Sequence, residues 1–388
     1  MRIAFKSLYI CSMRYDSILG LDHIKKHLQS TVANDRIAHA QLFIGPTGSG
    51  VLPLAIAYAR AILCKNGSVH CDAQLDALAH PDLHFSYPIA SSEVAKEKPV
   101  ADDYVKQWRT FVREEPYGDI AAWGTAAGLD KKELLLNVHE AAAIGKKLSL
   151  KAYEGGYKIL IIWAADHMNI AAANKLLKLI EEPPAKTVIL LLADDEEKII
   201  KTIQSRCQVL HVSKLANDTV AQGLVSHLKI TESQSQLIAR QANGDFFKAQ
   251  QLLANAHEDT QFEAWFIQWV RTAFKAKGNK GSINDLIAWS ETIAALNRDT
   301  QKRFLGYCLE FFRQALLLNY KATQVVYLKP TATDFLLEKF APFIDGHRIV
   351  EINTSITDAM YHIERNGNSK IILTDLAISL TRMLHKTK

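Results

Sequence analysis

The sequence predicts an α/β layer built on a parallel sheet, followed by an all-helical C-terminal part. Three features carry that expectation. Within residues 157–212, Ile159–Trp163 and Val188–Leu192 are apolar on both faces and too short for helices, while Ile170, Ala173, Leu177 and Ile180 recur between them at helical spacing. Strands apolar on both faces belong to parallel sheets covered by helices. Gly45-Pro46-Thr47-Gly48-Ser49-Gly50 has the glycine spacing of a phosphate-binding loop between strand and helix. Beyond about residue 258 only helical periodicity is found.

The elements follow in chain order. Residues 1–12 are apolar and basic but lack a full signal-peptide core, and read as a non-native or disordered extension. Tyr15–Gly20 is a loop, and Ile24 and Leu28 begin an amphipathic helix. Residues 36–45 lead into the first strand and the glycine-rich loop; Pro53 falls in the first turn of the next helix, where its missing donor is tolerated. Residues 89–156 are rich in charge and helix formers and read as an insertion, with Trp108 and Trp123 as small-core residues. Pro183 and Pro184 stop the helix that starts at Ile170. Ser205-Arg206-Cys207 stands at a loop-to-strand junction before a third strand, Gln208–Val212, and Asp218–Ala254 is helical. Phe262, Trp265, Phe266, Trp269, Val270, Ala273 and Phe274 form one apolar stripe. Ile349, Ile352, Ile356, Met360 and Ile363 form a second, and Leu373, Leu376, Leu380 and Met383 a third. Phe304–Leu318 is apolar nearly all round and should be a central helix, and Gly278–Ser282 reads as a loop.

A chain of 388 residues with 48% hydrophobic side chains holds two or three domains and is not disordered as a whole. A net charge of +5 permits nucleic-acid contact without arguing for it. Five scattered cysteines (11, 64, 71, 207 and 308) suit free thiols in a reducing cytoplasm rather than a disulfide framework. No apolar run reaches the ~18 residues of a membrane-spanning helix.

Leu176-Leu177-Lys178-Leu179-Ile180-Glu181-Glu182-Pro183-Pro184, followed by Ser205-Arg206-Cys207, resembles the LLKxLEEPP…SRC signature of bacterial DNA polymerase III clamp-loader subunits, the gamma/tau/delta-prime family. Arg36 to Gly45 resembles that family's R-x-x-HA-x-LF-x-G segment, and Leu148 to Tyr157 rejoins its pattern after the insertion. The resemblance is close over about 13–255 and loose over 256–388. It implies an AAA+ core with a P-loop-type parallel sheet at 13–213, a small helical lid at 214–257, and a helical collar at 258–388 through which subunits form a ring.

The departures from the family pattern are informative. The P-loop lysine and Ser/Thr that neutralise phosphate and hold Mg²⁺ are replaced by Val51 and Leu52, beside Gly45, Gly48 and Gly50. The Walker B acids are replaced by Trp163 and Ala164. Asp166 is either a displaced carboxylate or, the better reading, helix N-terminal charge. Cys64 and Cys71 lie where relatives carry a zinc insert, but the last two ligand positions in that register are Gln74 and Ala77, so zinc is lost. His80-Pro81-Asp82-Leu83-His84 resembles a segment outside the metal site. Lys248 stands at the sensor-2 arginine position. No cofactor, no metal and no ATP hydrolysis are expected of the isolated chain; passive nucleotide binding through the loop backbone stays open.

Arg206 is kept. In this family the arginine of Ser-Arg-Cys acts as an arginine finger in the neighbouring subunit's ATP site, and a chain that lost its own site but kept this residue resembles the delta-prime type. The resemblance therefore implies a non-catalytic accessory subunit of a DNA polymerase assembly. Its implied partners are gamma/tau and delta subunits, the sliding clamp and primed DNA, contacted without base reading and without membrane association. A degenerate gamma/tau-type ATPase and an AAA+-derived scaffold outside replication are the alternatives.

Overall fold

The computed structural model describes residues 13–385 apart from 66, 93, 94, 96, 131, 155, 229, 255, 277, 278, 280 and 329, so the extension read at residues 1–12 lies outside the described residues. The chain divides into two compact units, one ending at Leu253 and the other beginning at Ala254.

The first unit alternates helices and strands: α1 (Asp22–Ala33), β1 (Ala40–Ile44), α2 (Val51–Leu63), α3 (Val69–Asp76), β2 (Leu83–Ser86), α4 (Val105–Glu114), α5 (Ile120–Ala127), α6 (Val138–Ser149), β3 (Lys158–Ile162), α7 (Ile170–Glu181), β4 (Thr187–Ala193), α8 (Lys201–Gln204) and β5 (Gln208–His211). The strands form one sheet in the order β2-β3-β4-β1-β5, every pairing parallel. Period-two alternation divides them between two cores. Phe43, Ile159, Ile161, Val188 and Leu190 face α2, α4 and α5; Leu42, Leu160, Ile162, Ile189 and Leu191 face α6, α7 and α8. This is the parallel P-loop-type sheet with flanking helices that the sequence predicts.

Several elements differ from the sequence reading. β2 went unread because Leu83-His84-Phe85-Ser86 mixes polar and apolar residues, yet it pairs with Ile159–Ile162 along its whole length. Within the segment read as insertion, α6 is the crossover helix of the parallel β2–β3 connection and buries Ala141, Ile144 and Leu148 against the sheet; α4 and α5 lie on the opposite face. In α7 the buried stripe is Ala172, Ala173, Leu176 and Ile180, while Ile170 is 71% exposed. Asn169 caps this helix, accepting from the Ala172 amide at 2.8 Å, a contact of about 1 kcal/mol. β2 and β5 are the two edge strands, and β5 is the more exposed of them.

The reading of all five cysteines as free thiols is corrected. Cys64, at the C-terminal cap of α2, and Cys71, in the first turn of α3, form a disulfide with Cα atoms 5.7 Å apart, a separation at which two cysteines bridge without backbone distortion. The ion pairs from Arg60 to Asp72 and Asp76 fasten the same two helices. Cys207 and Cys308 are free. Three further helices, α9 (Asn217–Leu228), α10 (Glu232–Ala242) and α11 (Phe246–Ala254), add Val220, Leu224, Ile238 and Phe246 to the core on the α2 face.

Among its described residues the regular elements of the second unit are all helical: α12 (Ala256–Lys275), α13 (Gly281–Ala294), α14 (Arg298–Asn319), α15 (Leu337–Phe340), α16 (Gly346–Glu364) and α17 (Ser369–His385). The three apolar stripes lie on α12, α16 and α17, and α14 is the central helix, burying Phe304, Leu305, Cys308, Phe311 and Phe312. Of the loop read at Gly278–Ser282, residues 278 and 280 lie outside the described residues, and Gly281 and Ser282 belong to α13. No helix among the described residues is long and apolar enough to cross a membrane.

Candidate functional site

The glycine-rich loop has the backbone course of a phosphate loop. β1 runs into Gly45, and Gly48 (φ 74°) and Gly50 (φ 92°) take left-handed conformations that favour glycine. Gly50 caps α2, so Val51 and Leu52 are its first two residues, and Leu52 is buried. The orphan amides of that helix end would suit an anion, but the chain itself crowds the loop.

Three contacts crowd it. The Phe246 amide donates to the Gly48 carbonyl at 3.1 Å, joining α11 to the loop. The Asp245 carboxylate caps α11 by accepting from the Lys248 amide at 2.9 Å, and it lies so close over Gly48 that a side chain there would run into it. Tyr117, in the turn between α4 and α5, lays its ring against Gly50, packs on Phe246 with centroids 5.1 Å apart, and accepts from the Leu19 amide at 3.0 Å through its hydroxyl. Neither Tyr117 nor Asp245 stands out in the sequence. Tyr117 is a turn residue with no periodic neighbour, and only the Gly244-Asp245 pair hints at a helix start.

The space that remains is a cavity of about 210 Å³. Its side chains include Asp119, Asp166, Asp194 and His167 but no lysine or arginine, and the Thr47 hydroxyl donates to the Asp194 carboxylate. A triphosphate would meet carboxylates where a P-loop offers an ammonium. Burial pushes the Asp245 carboxyl above its ordinary range, against the lowering influence of the Lys248 amide and charge. Lys248 itself is exposed on α11. Asp166 occupies a short 3₁₀ turn after β3 rather than the N-terminus of α7, which Asn169 caps, and it lines the cavity.

At the Walker B position the structure puts an aromatic core. Trp163 directly follows β3, and its ring lies 5.3 Å from Trp108 and 5.6 Å from Phe111. Trp108 in turn stacks on Tyr87 at 4.1 Å and meets Trp123 edge-on at 5.3 Å. Trp108 and Trp123 are thus the core residues read from the sequence, and Trp108 and Phe111 pack against Trp163. Ala164 follows in a left-handed conformation (φ 50°). Among the described residues no group of three or more His, Cys, Asp or Glu side chains could hold a metal ion.

Arg206 lies apart from this cleft, between α8 and the edge strand β5. Its side chain is 36% exposed. Nε donates to the Glu181 carboxylate, and Nη1 donates to the Thr202 carbonyl at 3.0 Å and the Ser205 hydroxyl at 3.3 Å. Nη2 makes no hydrogen bond among the described residues. The guanidinium is held along one side and presented at its tip. Burial raises the neighbouring Cys207 thiol to about 11, which suits a packing residue rather than a nucleophile.

Comparison with known proteins points one way. The model of the family described as "DNA polymerase III, delta subunit" matches residues 20–216. The chain is 26% identical over 226 residues to DNA polymerase III subunit delta' of Bacillus subtilis (strain 168), covering 57% of this chain and 55% of the relative. It is 31% identical over 177 residues to subunit delta' of Pseudomonas aeruginosa, covering 44% and 42%. It is 24% identical over 268 residues to subunit tau of Bacillus subtilis (strain 168), covering 66% and 40%. The matched stretch spans about half the length of these relatives.

Proposed function

The chain belongs to the DNA polymerase III delta-subunit family, and from that premise we propose that it is a delta'-type, non-catalytic clamp-loader subunit that lends Arg206 to the ATP site of an adjacent gamma/tau-type subunit. The observation that carries this reading is an asymmetry of charge. The chain's own cleft is narrowed, acidic and without lysine or arginine, whereas Arg206 is exposed, tethered on one side and, among the described residues, unengaged at Nη2. A guanidinium is always charged, and its donor fork matches phosphoryl oxygens. Placed beside a transferring phosphoryl group, it stabilises charge that develops in the transition state. Hydrolysis then occurs in the neighbour, and this chain's part is to complete the site. Residues 13–213 would serve as the AAA+ core, 214–257 as the lid, and 258–388 as the collar that joins gamma/tau and delta subunits in a ring loading the sliding clamp on primed DNA. Contact with that DNA would be to phosphates, independent of sequence and sensitive to salt.

The test is Arg206→Ala in the complex reconstituted with its partner subunits. Clamp- and DNA-stimulated ATPase should fall at least about tenfold with assembly intact, a loss of ~1.4 kcal/mol or more of transition-state stabilisation. Unchanged turnover in an intact complex would remove the finger role and leave a passive arm of the ring.

A further inference from the structure

The two halves of the family signature, Leu176–Pro184 and Ser205–Cys207, meet in one side-chain contact, that of Glu181 with Arg206. Glu181 is the last residue of α7, and Glu182 follows it at the cap. Carboxylates at a helix C-terminus oppose the helix dipole, so this placement runs against the local preference. The cation that answers it is Arg206. The same guanidinium also accepts a role at the end of α8, where it donates to the Thr202 carbonyl in the last turn. Pro183 and Pro184 end α7 at this point, so Glu181 cannot be carried further along a continuing helix.

We infer that Glu181 is a positioning residue for Arg206. It holds Nε, while Thr202 and Ser205 hold Nη1, so that Nη2 is aimed outward before a neighbour arrives. An untethered arginine would lose much of its rotamer freedom on entering a partner's site, and the loss would be charged against the transition state. With the side chain already held, that ordering is complete in the free subunit. The inference rests on the reading of Arg206 as a finger acting in trans.

Glu181→Ala, Glu181→Gln and Arg206→Ala, each in the complex reconstituted with its partner subunits, separate the two ideas. Glu181→Ala should lower kcat of the stimulated ATPase about three- to tenfold with KM for ATP unchanged, the pattern of a group that acts only in the transition state. Glu181→Gln keeps an acceptor for Nε and should restore most of the rate. Adding Glu181→Ala to Arg206→Ala should cost nothing further, because the positioned group is already gone. The thermal midpoint of the Glu181→Ala subunit should not fall, since the change removes an acid from a helix C-terminus. If Arg206→Ala slows turnover while Glu181→Ala equals or exceeds wild type, Glu181 does not position the finger and the finger reading stands. If Arg206→Ala has no effect, the finger reading falls and this inference falls with it.

Discussion

The glycine-loop cleft and the Arg206 edge belong to one compact unit, and their surroundings differ in kind. In the cleft, the positions at which the family resemblance expects nucleotide-handling groups carry residues that belong to the chain's own packing. Val51 and Leu52 stand for the lysine and hydroxyl, Trp163 joins an aromatic core, Asp245 covers Gly48, and Tyr117 covers Gly50. At the edge strand, Arg206 keeps its charge, its exposure and, among the described residues, an unengaged Nη2. On the proposed reading, the cleft is under no demand to stay open, whereas a residue that serves another chain must stay at the surface.

The comparison can be broken first at Trp163. Trp163→Asp, which returns an acid to the Walker B position, should destabilise the first unit by about 3–5 kcal/mol from the lost aromatic alone, with a further cost for an unpaired buried charge. Urea unfolding measures it. A variant with the wild-type midpoint would mean that the aromatic core does not depend on this side chain.

Asp245 offers a smaller effect with a defined sign. Its native carboxyl is raised mainly by burial. A carboxyl raised above its unfolded value of about 3.9 binds its proton more tightly when folded. It therefore costs nothing at acid pH, and it subtracts stability as pH climbs from about 4 through the raised native value. Asp245→Asn, which keeps a good helix cap, should flatten that part of the stability curve and leave the protein more stable at neutral pH. Coincident pH profiles for the two proteins would show that the carboxylate is not pressed into the closed cleft.

The smallest expected effect is none at all. Val51→Lys with Leu52→Thr restores the P-loop wording, but Tyr117 and Asp245 still crowd the loop. Calorimetric titration with ATP should show no binding tighter than about 1 mM, or ~4 kcal/mol. Micromolar binding by this double variant would mean that charge alone, rather than closure, had silenced the cleft.

Much of this contrast is legible in the sequence. The apolar runs locate β3 and β4, the family wording of residues 36–45 locates β1, and the glycine spacing locates the loop. Val51, Leu52 and Trp163 announce lost chemistry by residue type, and Leu176–Pro184 with Ser205–Cys207 points to Arg206. β2 escaped because two of its four residues are polar, and Ile170 looked buried only because helical spacing defines a stripe without saying which edge of it faces the sheet. The disulfide between Cys64 and Cys71 escaped because spacing alone does not say where the connection after α2 turns back.

What the sequence determined by itself is local: the periods of strands and helices, the loop's left-handed glycines, the charges deleted from one site and kept at another. Only the tertiary structure decided what packs against the glycine loop and what holds the arginine. Tyr117 reaches the Leu19 amide across 98 positions of chain, and Arg206 reaches Glu181 across 25. Backbone periodicity is set by neighbours within a few residues. Such contacts exist only after the sheet has closed and the helices have taken their faces, so no local pattern announces them.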